Sequence, residues 1–240
     1  EPFEYKVADI NHTISLAANL KQALLNEPML QQSYQRVNVL IASPSFTTVP
    51  VAAFQKEDIE SFYNLVFPKE KSKHVSYNVL RRSGIAIVFG LERSIYQLLL
   101  DDFPRARFYA AASTLIEFFS EKSLIGNGKK MYAYLHDKEM TIYAFEQGRM
   151  LFVNTFAAKA VADMQYYIRH VWKELGLDQI DDSLFIVGDQ QQPAAELEEK
   201  LKYFLQHVDI IDRSEDFKDR LTKGNCLTPY DLQTLLVCGF

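Results

Sequence analysis

Between Ile14 and Leu25, the apolar residues Leu16, Leu20, Ala23 and Leu24 recur at helical spacing behind Thr13. This predicts an amphipathic helix with Thr13 as its cap, ended or restarted at Pro28. "RVNVLIA" (36–42) is almost wholly apolar and predicts a strand covered on both faces, in the middle of a sheet. From 45 to 104 the pattern reads strand, helix, strand, strand, helix, bordered by Pro44, Pro50, Pro68 and Pro104, as in a small inserted subdomain. "ARFYAAAS" then predicts a short strand that resumes the interrupted sheet, followed by a helix from Thr114 to Phe119.

From Met131 to Phe156 three apolar runs separated by turns at His136-Asp137-Lys138 and Glu146-Gln147-Gly148 predict a three-stranded meander, with Val153 and Thr155 adding β-branched weight to its last strand. Ala158 to Leu175 places Val161, Met164, Ile168, Val171, Trp172 and Leu175 on one helical face, and Gly176 stops it. "SLFIVGD" (183–189), a helix opened by Pro193 and "VDIID" form a β-α-β crossover, which implies parallel pairing. A short helix after Ser214 follows. In "TPYDLQTLLVCG" Thr228 is the expected cap, Pro229 takes the first turn and Asp231 completes a capping box.

With 48% hydrophobic residues over 240 positions, the chain can build a large core. Its net charge of −5 offers no global attraction for nucleic acid, and no apolar run approaches a membrane span. Cys226 and Cys238 have neither CxxC spacing nor a histidine partner, so two unreactive thiols in a reducing, cytoplasmic setting are expected.

A meander followed by helix, strand, helix and strand is the plan of a ribonuclease H-like half, which actin-like ATPases use twice. "VNVLIASPSFTTVPVAAFQKEDIESFYNLVFP" resembles the way PilM-like proteins lead into their inserted subdomain, and "VSYNVLRRSGIAIVFGLERSIYQLL" resembles the way they leave it. "RARFYAAASTLIEFF" is similar to the return strand and helix, and "YAYLHDKEMTIYAFEQGRMLFVNTFA" to the meander opening the second half. The chain thus resembles the actin-like ATPase superfamily of PilM and FtsA nearly end to end, and an uncharacterised bacterial family assigned that fold. The expectation is an α/β protein with two ribonuclease H-like halves of the actin-like ATPase fold. Residues 1–44 and 105–125 make the first half, 45–104 the inserted α/β subdomain and 126–240 the second half. Only "EPFEYKVADI" precedes the first helix, room for one strand, so the first-half phosphate hairpin is expected to be absent or to precede Glu1.

The resemblance implies a nucleotide held between two hairpins, whose small residues let backbone N–H groups approach phosphate while an aspartate orders Mg²⁺. Where the family pattern has Asp-x-Gly, this chain reads Tyr134-Leu135-His136-Asp137, with the aspartate displaced and no glycine. The family's threonine and the glycine before the next strand match Thr141 and Gly148, and Gly188 alone survives of its adenosine-side glycines, followed by Asp189 and three glutamines. Asp137, Thr141 and Gly188 are therefore the possible remnant nucleotide-binding residues; no catalytic residue and no metal ligand is nominated.

"GNGKK" (126–130) is not flanked as a phosphate loop requires and reads as a glycine turn. His136 reads as a turn histidine, Glu196, Glu198 and Glu199 as a solvated helix face, and "FPKEKSKH" as a solvated loop. The expected function is a non-catalytic interaction or scaffold protein, without cofactor and with an unidentified protein partner, associated peripherally with a membrane assembly by analogy. Tyr63, Phe67, Phe103 and Tyr109 would supply recognition aromatics if exposed. The alternative is an atypical ATP-binding protein or ATPase using ATP and Mg.

Overall fold

The computed structural model describes residues 4–188, 191–217 and 228–238. The chain divides into two compact units, Glu1–Ser113 and Thr114–Phe240.

In the first unit, residues 4–11 run without regular structure. Helix α1 (Leu16–Asn26) is capped by Ser15, whose hydroxyl accepts from Ala18 N at 3.2 Å. The expected cap, Thr13, is instead engaged by Asn11, whose Oδ1 accepts from both the amide and the hydroxyl of Thr13. A 3₁₀ turn at Pro28–Gln31 follows. Next come β1 (Asn38–Ile41), β2 (Phe46–Pro50), α2 (Ile59–Val66), β3 (His74–Leu80), β4 (Ile85–Leu91), α3 (Arg93–Asp102) and β5 (Arg107–Ala110).

The predicted strand-helix-strand-strand-helix order is present, with β4 between β2 and β3 in an antiparallel sheet. β1 pairs parallel with β5, so the interrupted sheet does resume there. It is not a central strand covered on both faces. Among the described residues β5 is its only neighbour, and Val39, Leu40 and Ile41 are half-exposed, because a two-stranded ribbon cannot bury both its faces.

Burial concentrates on β4, whose residues Ala86 to Leu91 are all buried, and on Tyr63 of α2, which is wholly buried against Val75 and Val88. Gly90 makes that packing possible: a Cβ there would lie 2.3 Å from Tyr63 Oη. The phenol donates to Glu70 Oε2 (2.5 Å), and Glu70 also accepts from Ser45 Oγ (2.8 Å) and pairs with Lys73 Nζ (2.7 Å). The buried amide of Asn78 ties β3 to the end of β5, donating to Phe108 O (2.9 Å) and accepting from Ala110 N (2.9 Å) and Ser113 Oγ (2.8 Å).

Helix α4 (Ala111–Ser123) runs into the second unit, where the meander β6 (Lys129–His136), β7 (Glu139–Glu146) and β8 (Arg149–Ala157) follows. Then follow α5 (Val161–Glu174), β9 (Ser183–Gly188), α6 (Gln191–Leu201), β10 (His207–Ile210), the single turn α7 (Arg213–Asp216) and α8 (Tyr230–Cys238). The sheet order is β10-β9-β6-β7-β8, antiparallel through the meander and parallel from β6 through β9 to β10, as the crossover requires.

Alternation along the strands sorts the two faces. Met131, Ala133, Leu135, Ile142 and Ile186 pack with Ile168 and Trp172 of α5 and Leu197 and Leu201 of α6. On the opposite face Tyr132 stacks between Phe119 of α4 (4.3 Å) and Phe185 (5.1 Å), with Tyr230 of α8 beside them. The Tyr230 hydroxyl donates to Asp216 Oδ2 at 2.6 Å, and Lys122 pairs with the same carboxylate.

Helix α6 begins at Gln191, before Pro193. The side chain of Thr228 does not cap α8: its hydroxyl is buried without a hydrogen-bond partner among the described residues, while its carbonyl accepts from Gln233 Nε2 (2.8 Å). No described helix is long and apolar enough to cross a membrane.

Candidate functional site

The β6–β7 turn is a two-residue loop, Asp137-Lys138, closed by the His136–Glu139 pair. Asp137 is exposed with φ of 47°, a left-handed conformation that aspartate tolerates better than most residues. The next turn, Gln147-Gly148, has φ of 49° and 80°, the type I′ geometry that matches strand twist. Gly148 is fixed from both sides: its N–H donates to Ser123 Oγ (2.9 Å) and its carbonyl accepts from Ser120 Oγ (2.8 Å).

Thr141 is buried at 3% exposure, and its hydroxyl lies 3.1 Å from His136 Nε2 and 2.9 Å from Thr155 Oγ1. His136 also stacks on Tyr134, with ring centroids 5.0 Å apart. Gly188 ends β9 opposite Leu135 of β6, where an added Cβ would stand 3.1 Å from Leu135 Cβ and 3.4 Å from its carbonyl. The Gly188 carbonyl accepts from the Arg213 guanidinium at 3.5 Å.

Asp137, Thr141 and Gly188 therefore gather at one end of the sheet, around the carboxyl ends of the parallel strands β6 and β9 and the start of α6. Open α/β sheets bind ligands at such ends. Leu135 and His136 link the three positions. Asp189, Gln190 and Cys226 lie outside the described residues; Cys238 is half-buried, with its thiol 3.6 Å from Thr114 O.

The lysines of "GNGKK" point away from any phosphate role. Gly126 and Gly128 both have positive φ, and a Cβ on Gly128 would lie 2.8 Å from the Asp181 carbonyl. Lys129 Nζ donates to Gly176 O at 3.1 Å, past the end of α5, and Lys130 Nζ donates to Lys122 O (3.2 Å) and Ile125 O at the end of α4. Each ammonium thus sits at the negative end of a helix. Burial, and then the Lys122 charge, lower the Lys130 pKa below its ordinary value.

Beneath the turn, the buried Asp182 accepts from Lys129 N (2.6 Å) and Asp178 N (2.7 Å), a structural carboxylate for which the sequence carries no local signal. The glutamates of α6 form the solvated face expected of them, with Glu196 and Glu198 paired to Lys200 and Lys202. The aromatics considered for recognition lie inside the first unit: Tyr63 and Tyr109 are buried, and Phe67 and Phe103 are half-buried. Among the described residues no group of His, Cys, Asp or Glu is arranged to hold a metal ion.

Residues 3–208 match the model of a family described as protein of unknown function (DUF3822). No curated protein matches the chain. A crystal structure from Bacteroides thetaiotaomicron, described as a protein with actin-like ATPase fold and unknown function, is 36% identical, with a TM-score of 0.84 over 96% of this chain and 84% of that one. The PilM–PilN type IV pilus biogenesis complex aligns at 10% identity and a TM-score of 0.52, over 83% of this chain and 75% of that one, a likeness of fold alone. The matched span and the crystallised relative agree: the chain belongs to the DUF3822 family and has the actin-like ATPase fold.

Proposed function

We propose that this chain is a non-catalytic interaction or scaffold protein that keeps the actin-like ATPase fold and works without nucleotide. The observation that carries this reading is that the remnant positions are occupied by the fold itself. The Thr141 hydroxyl is held between His136 and Thr155, Gly188 lies against Leu135, where an added Cβ would press at 3.1 Å, and its carbonyl faces Arg213. At the turn, Asp137 places a side chain where a phosphate grip needs a bare backbone N–H.

Mg-nucleotide fits these residues poorly. Asp137 is at the surface, and it belongs to no group of three or more described His, Cys, Asp or Glu side chains arranged around a metal ion. A protein partner suits the reading better, and the fold neighbour PilM is seen in complex with PilN. By that analogy the partner belongs to an assembly at a membrane, approached from the cytoplasm.

Titrating the purified chain with Mg-ATP by calorimetry tests this. The expected result is no binding heat and no thermal stabilisation up to millimolar nucleotide, since a ligand selective for the native state must raise its stability. Micromolar binding that weakens in Asp137→Asn, a change that removes the charge but tolerates the left-handed turn, would overturn the proposal and establish an atypical ATP site.

A further inference from the structure

Away from the strand ends, a cavity of about 860 Å³ opens on the second unit between α5, the 177–180 loop and the residues after α6. Its size suits a few side chains of an extended segment. Two features mark it as more than a packing gap.

The first is charge. Arg169 and Lys173, one turn apart on α5, line the cavity, are exposed and have no ion-pair partner among the described residues. Arg169 lies over the Phe204 ring at 4.2 Å, which pre-orients its guanidinium. The carboxylate in the lining, Asp178, is turned into its own loop, accepting from Ile180 N (2.7 Å) and Asp181 N (3.1 Å).

The second is an unmet donor. Trp172 also lines the cavity, is 4% exposed, and its indole N–H has no acceptor among the described residues. Buried indole N–H groups are ordinarily paired, and leaving one unpaired is costly. Within the lining, Tyr166 (64% exposed) and Ile180 (62%) present exposed apolar surface.

We propose that this cavity docks a short acidic segment of a partner protein, with an aliphatic or aromatic side chain inserted over Trp172 and Phe204 and carboxylates on Arg169 and Lys173. The segment packs against Trp172, whose indole N–H is itself closed to solvent. A segment fits better than a small anion because the lining joins the exposed apolar groups Tyr166 and Ile180 and the Phe204 ring to the two cations, and an anion alone would leave the apolar part unused. The inference gives the interaction reading a surface. It is independent of the strand-end site, so a nucleotide titration and a peptide titration can fail separately.

Trp172 is the only tryptophan in the chain, so its emission reports this cavity directly. The test selects random displayed dodecapeptides on the full chain, then titrates the enriched peptides while following that emission. The expected peptides are acidic with at least one large apolar residue. They shift the emission saturably, weaken with added salt, and lose about tenfold or more in affinity to Arg169→Glu/Lys173→Glu. The milder Arg169→Gln/Lys173→Gln pair, checked for native circular dichroism, guards against misfolding. Failure to enrich acidic peptides, binding that leaves the emission unmoved, or affinity indifferent to both double variants would each overturn the proposal.

Discussion

Replacing Gly90 by alanine drives one methyl group against the buried Tyr63 ring. The new carbon would lie 2.3 Å from Tyr63 Oη and 2.5 Å from Cζ, where contacts near 3.5 Å are comfortable. The ring has nowhere to withdraw: Tyr63 is fully buried, packs on Phe67 at 4.8 Å, and is tethered through its hydroxyl to Glu70. Overpacking of this kind costs about 1–3 kcal/mol. Displacing the phenol also loses a hydrogen bond to a carboxylate, worth about 1.5–3 kcal/mol. Because Glu70 is partly solvated, the lower part of that range applies, and Gly90→Ala should cost about 3–4 kcal/mol, a large share of a small domain's stability.

Urea unfolding followed by circular dichroism measures the loss, with Trp172 emission as an internal reference for the second unit. A double-mutant cycle isolates the clash. In a Tyr63→Leu background the offending atoms are gone, and Gly90→Ala should then cost less than about 1 kcal/mol. Tyr63→Phe should not rescue it, because Cζ remains at 2.5 Å. An equal penalty in the wild-type and Tyr63→Leu backgrounds, or one below about 1 kcal/mol in the wild type, would refute the packing argument.

Asn78→Ala removes a buried amide that serves β3 and β5 together and leaves the Ala110 amide without its acceptor, so about 2–4 kcal/mol should be lost, with faster hydrogen exchange at Ala110. Asp182→Ala should cost a similar amount, about 2–4 kcal/mol, by stranding the Lys129 and Asp178 amides, and Asp182→Asn should fall between it and wild type, read from thermal unfolding. Burial, then the Arg93 charge, lower the pKa of His74 below its ordinary 6.5 against the opposing pull of Glu60. The unfolded chain therefore takes up this proton first, so stability is full above about pH 6.5 and declines as pH falls through the folded pKa; His74→Phe, which keeps the stack on Tyr96, should flatten that slope in urea midpoints.

Elements with a local signal were legible in the sequence: the apolar runs punctuated by turn residues from Met131 to Phe156 became three paired strands, and the helical stripe through Val161 and Trp172 became α5. Competition among neighbours was not legible. Thr13 has every property of a cap, yet Asn11 holds it two residues earlier and Ser15 takes the role. An apolar run such as "RVNVLIA" reads the same whether one strand or two lie beside it, so the half-exposed setting of β1 could not be foreseen.

The candidate site exposes the same limit at its sharpest. A glycine permits close approach, but what approaches is decided by residues distant in sequence: Tyr63 for Gly90, the Asp181 carbonyl for Gly128, Leu135 for Gly188. In Gly188 the resemblance reads a trace of adenosine contact, whereas in this chain the cross-strand neighbour Leu135 stands close enough to press on an added Cβ. Asp137 behaves alike, since a left-handed turn position favours aspartate before any ion is considered. Each of these residues thus has a part in the sheet of this chain that requires no nucleotide. The cations of α5 without an ion-pair partner among the described residues, set beside an apolar lining, by contrast meet no need of the fold that those residues reveal, and it is there that a binding function has the stronger physical claim.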